Sequence, residues 1–147
     1  MTSILIGSVC AAGVNDFKVD SSFKNVYSSE YYAVYATNDQ TSGISIYKNV
    51  NDDVYDDQYN DDVLDGAIHH DGREYTCGDD DMKVDKKADN TANFTDYEHA
   101  THGITEVVSH GGAQYIVVFW AKDTGNANLA SQLSTFNKNN GVSPVAF

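Results

Sequence analysis

A chain of 147 residues with 41% apolar composition can bury a core without a structural metal or a disulfide framework. Nine Lys and Arg against 22 Asp and Glu leave a formal net charge of -13, a balance that repels phosphate backbones and anionic membranes. A basic nucleic-acid interface is thereby excluded, and no run approaches the ~20 apolar residues of a membrane span.

The first apolar run, Ile4 to Val14, lacks the basic n-region of a signal peptide and predicts a buried strand. Two segments rich in β-branched and aromatic residues follow, Glu30 to Thr37 (EYYAVYAT) and Gly43 to Val50 (GISIYKNV). The polar turn residues between them, Asn38 to Gly43, predict a hairpin. In its second strand Ile44, Ile46 and Val50 fall on one face, with Ser45, Tyr47 and Asn49 on the other. Tyr27, Tyr31, Tyr32 and Tyr35 crowd the first strand. Tyrosine gives contact area at low entropy cost, so Tyr31 and Tyr35 are candidate binding residues.

Asn49 to Gly66 predicts a long acidic loop within a single domain spanning residues 1–147. Asn51-Asp-Asp-Val-Tyr55 is echoed there by Asn60-Asp-Asp-Val-Leu64. Asp52, Asp53, Asp56, Asp57, Asp61, Asp62 and Asp65 are candidate calcium ligands, because calcium takes six to eight oxygens. The EF-hand pattern is absent. Such crowded carboxylates repel one another, so their folded pKa values are expected to rise where no cation binds. Asp79, Asp80, Asp81 and Asp85 form a weaker acidic cluster. A small hairpin is expected from Arg73 to Cys77 and Met82 to Lys86 around Gly78.

Cys10 and Cys77 are the only cysteines, and an oxidising compartment would join them as a disulfide. The composition, rich in Asp, Asn, Ser, Thr and Tyr with Arg73 as the one arginine, fits an exported protein. Asn93-Phe-Thr95 is an N-glycosylation sequon and Lys86-Lys87 a dibasic pair.

From Asp96 to Ser109 the residues Tyr97, Ala100, Ile104, Val107 and Val108 follow helical spacing. Thr95 and Glu98 read as its capping box, and Gly111 and Gly112 as its stop. On that helix His99, His102 and Glu106 would share a face, with the ligand types of a zinc site. No HExxH motif accompanies them. His69, His70 and Asp71 are a further group, and His110 is the fifth histidine.

Gln114 to Ala121 (QYIVVFWA) predicts a central strand covered on both faces. Asp123 to Asn126 is a turn. Leu129, Leu133 and Phe136 then predict a second helix with Gly141 as its left-handed stop. Val142 to Phe147 closes the chain as an edge strand that tolerates Pro144. The expected fold is α+β, a single-domain α/β sandwich with a mainly antiparallel sheet and about two helices packed on it.

Gly-x-Ser-x-Gly, phosphate-loop and dinucleotide motifs are all absent, which leans against an enzyme. The first expectation is a secreted acidic protein of toxin, effector or inhibitor type, acting by binding a protein or cell-surface target. A metal-dependent hydrolase using the His/Glu cluster and a calcium-binding adhesion module are the alternatives. An acidic inhibitor that imitates nucleic acid ranks below them.

Overall fold

In a computed structural model of the chain, residues 13–30, 32–48, 82–86, 90–97, 100–123 and 127–145 are described, with the backbone alone for 82–86. Among these residues seven strands form one sheet: β1 (Lys24–Ser28), β2 (Tyr32–Ala36), β3 (Ser42–Lys48), β4 (Met82–Lys86), β5 (Thr91–Asp96), β6 (Thr101–His110) and β7 (Ala113–Lys122). Every pairing is antiparallel. The order β1-β2-β3-β7-β6-β5-β4 places two meanders side by side, joined where β3 pairs with β7. One α-helix, α1 (Leu129–Asn140), packs on one face.

The central strand explains why both faces are dry. Alternate β7 residues Tyr115, Val117, Phe119 and Ala121 join Ile44, Ile46 and Val108 under α1, which contributes Leu129 and Phe136. A 3₁₀ turn (Val14–Asp16) and Phe17 close the same side. Ile116, Val118 and Trp120 point the other way and meet Val34, Ala36, Ala92, Phe94 and Val107. On that second face the Trp120 side chain covers Gly43, and the Phe94 ring covers Gly103, where a Cβ would collide with them. Trp120 Nε1 donates to Ser45 Oγ at 3.2 Å, which satisfies an indole with only 1% exposure.

Several sequence expectations hold. The hairpin through residues 38–41 is present, as are the central strand, the final helix and its Gly141 stop at φ 62°. The α+β class holds in its coarse form, an antiparallel sheet with helix on it, but with one described helix rather than about two.

The predicted helix over 96–109 is replaced by β5, a turn and β6. The physical reason lies in its β-branched content (Thr101, Ile104, Thr105, Val107, Val108) and in Gly111 and Gly112. These glycines have φ of 57° and 80° between the paired residues His110 and Ala113. Two positive φ values make the tight turn whose twist matches a hairpin, so they fold the strand back rather than stopping a helix. β4 pairs with β5, not with residues 73–77, which lie outside the described residues. In place of a C-terminal edge strand, Pro144 makes an isolated bridge to Val108, and Val145 N–H donates to the Val107 carbonyl at 2.8 Å.

Candidate binding groove

The most enclosed space lies between α1 and the β2–β3 hairpin, a groove of about 630 Å³. Three local structures shape it. Asn128 caps α1 by accepting from the Ser131 N–H at 3.0 Å, which fixes the start of the helix. Ser131, Gln132, Thr135 and Asn139 then line one wall. The second wall is the hairpin turn, where Asp39 Oδ1 accepts from Thr37 Oγ1 at 2.7 Å, Thr41 Oγ1 at 2.9 Å and Thr41 N at 3.2 Å. The third is the turn before β1, where Asp20 Oδ1 accepts from Ser22 Oγ at 2.7 Å and Ser22 N at 2.9 Å. Phe23, Ile44, Ala127 and Phe136 supply the apolar lining.

At the groove's inner side Gln132 Nε2 donates to Ser42 Oγ at 3.3 Å, and Ser42 Oγ donates to the Trp120 carbonyl at 3.2 Å. Gln132 Oε1 is buried without a hydrogen-bond partner. Hydrogen bonds from Ser22 hold the Asp20 carboxyl below its ordinary pKa, and those from Thr37 and Thr41 do the same for Asp39. These two acids therefore run opposite to the upward shift expected of crowded carboxylates.

The proposed zinc ligands separate in this fold. His102 and Glu106 do share a face of β6, but four residues of strand put them roughly 13 Å apart. His102 Nδ1 lies 2.7 Å from Asp123 Oδ1 in a half-exposed pair at the rim of a second depression. Glu106 is fully buried and its Oε2 accepts from Asn137 Nδ2 at 2.8 Å. His99 lies outside the described residues. So do Asp52, Asp53, Asp56, Asp57, Asp61, Asp62 and Asp65 of the calcium expectation, and Cys10 and Cys77 of the disulfide. Among the described residues no group of three His, Cys, Asp or Glu is placed to hold a metal, and no helix is long and apolar enough to cross a membrane.

Tyr31 is likewise outside the described residues. Tyr35 turns toward the α1 side, packs against the core and is half-buried, so burial raises its hydroxyl pKa. The tyrosines that line up at the surface are others. Tyr27 contacts Tyr32 at 5.3 Å between ring centroids, and Tyr32 contacts Tyr47 at 4.6 Å, across three adjacent strands. Tyr27 and Val26 on the edge strand are each about half exposed.

No motif marked the groove in the sequence. Its residues come from three distant segments and are ordinary Ser, Thr, Asn, Gln and Asp. Only the turn chemistry at Asn38 to Gly43 pointed to a part of it. No protein-family model matches the chain, and no curated protein matches it.

Proposed function

We propose that the chain is a non-enzymatic binding module whose target places a ligand-sized group in the groove between α1 and the β2–β3 hairpin. The observation that carries this reading is the groove itself. Its volume of about 630 Å³ lies in the range of small-molecule sites, with an apolar base and a few fixed polar groups. Those polar groups are held by their own turns and by the sheet, so little ordering is needed on binding. A protein or cell-surface target in an extracellular setting fits the acidic, export-like composition. The tyrosine row at the sheet edge offers a second contact area for such a target.

The reading is tested by amide correlation NMR with a library of small organic fragments at about 1 mM each. Shifts are expected to concentrate on Thr41, Ser42, Ser131, Gln132 and Thr135. They are expected to vanish in Thr135→Trp, where an indole from an exposed helix position fills the groove. Fragments that leave these amides unmoved, or that perturb Thr135→Trp equally, would remove the groove from consideration.

A further inference from the structure

The groove offers hydrogen-bond acceptors and contains no Lys, Arg or His among its lining residues. Deep in it, Gln132 has committed its amide N–H to Ser42 and keeps a buried carbonyl oxygen with no partner. Ser42 has committed its own O–H to Trp120. The inner polar pair thus has its donors in use and an acceptor left over, a demand that only a donor on the ligand meets. At the rim, the bonds that fix Asp39 and Asp20 within their turns all arrive at Oδ1. Each Oδ2 is left for solvent or a ligand. Both acids stay ionised well into the acid range, since their turns lower their pKa. The whole chain adds a field of the same sign, from a net charge of -13.

We propose that the groove receives an organic ammonium group carried on an apolar body, an alkylamine or the side chain of a lysine. This rests on the reading of the groove as the binding site. The ammonium carries three donors and no acceptor, which complements the Gln132 carbonyl and the rim carboxylates. Its carbon chain lies against Phe23, Ile44 and Phe136 and leaves water. An anionic head group meets only acceptors here and is rejected.

The intact protein is titrated with hexylammonium, hexanol and hexanoate, which share one body and differ in head group. Hexylammonium is expected to bind about tenfold more tightly than hexanol, with hexanoate weaker still, and to shift the amides of Thr41, Ser42 and Gln132. Asp39→Asn keeps the turn's acceptor oxygen and is expected to weaken hexylammonium about fivefold without affecting hexanol. Glu30→Gln removes an equal charge outside the groove and leaves both unchanged. Hexanol binding in the groove as tightly as hexylammonium overturns the ammonium assignment and leaves the groove as a binding site. No shift from any of the three, or shifts confined elsewhere, overturns both. A lysine-containing tetrapeptide is run beside its norleucine counterpart to separate sources. A lysine peptide tighter than hexylammonium assigns the group to a protein target, and the reverse order assigns it to a free amine; either upholds the chemistry.

Discussion

Glu106 has unequal surroundings at its two oxygens: Oε2 accepts from Asn137 Nδ2, while Oε1 is buried without a partner. Asn137 Oδ1 is buried and partnerless as well. Two acceptors cannot satisfy each other, whereas a proton on the carboxyl turns one oxygen into a donor. Burial pushes the Glu106 pKa up to about 7 from 4.5, with the Asn137 bond pulling weakly the other way. The folded state therefore holds a proton that the unfolded chain has released. Stability from this source is complete below about pH 4.5 and is lost as pH rises to about 7, a loss of about 3 kcal/mol. Glu106→Gln carries no charge to lose. Urea unfolding at pH 5 and pH 8 is expected to show a variant nearly flat in pH and more stable than the parent at pH 8. Equal pH dependence in the two proteins would place the titrating group elsewhere. Sequence alone singled out Glu106 for the wrong reason, as a metal ligand on a helix face, because its burial depends on α1 lying across β6.

The helix α1 was legible because each of its signals agreed: Asn128 at the cap, Leu129, Leu133 and Phe136 on one stripe, and Gly141 in the left-handed region. Phe136 is the centre of its docking, with ring centroids 5.4 Å from Phe17 and 5.5 Å from Phe119. Phe136→Ala is expected to cost about 3–5 kcal/mol in denaturant unfolding and to loosen the groove that Phe136 lines. A cost below about 1 kcal/mol would mean that α1 contributes little to the fold. The strand β6 misled for the opposite reason. Glu106, Val107 and Val108 are all buried in succession, so the period of two is lost, and Ile104, Val107 and Val108 fit a helical stripe equally well. β1 escaped notice because all five of its residues are exposed, which leaves no apolar alternation to read. The groove was harder still, since it joins the 20–23, 37–44 and 127–139 regions through packing that has no local signature.

Across the whole molecule, two distinct electrostatic costs rise with pH, and salt separates them. A net charge of -13 on 147 residues repels itself through solvent, and that repulsion fades as the Debye length shrinks from about 30 Å at 0.01 M to about 10 Å at 0.1 M. The cost at Glu106 arises from taking a carboxylate out of water, where mobile ions do not reach it. At pH 8 the melting temperature of the parent is therefore expected to climb between about 0.01 M and 0.1 M sodium chloride. The gap between the parent and Glu106→Gln is expected to stay constant over the same range. A parent whose melting temperature ignores salt would show that its acids are already dispersed or paired. A gap that closes with salt would mean that the Glu106 charge is felt through solvent, and that its raised pKa comes from neighbouring acids rather than from burial beneath α1.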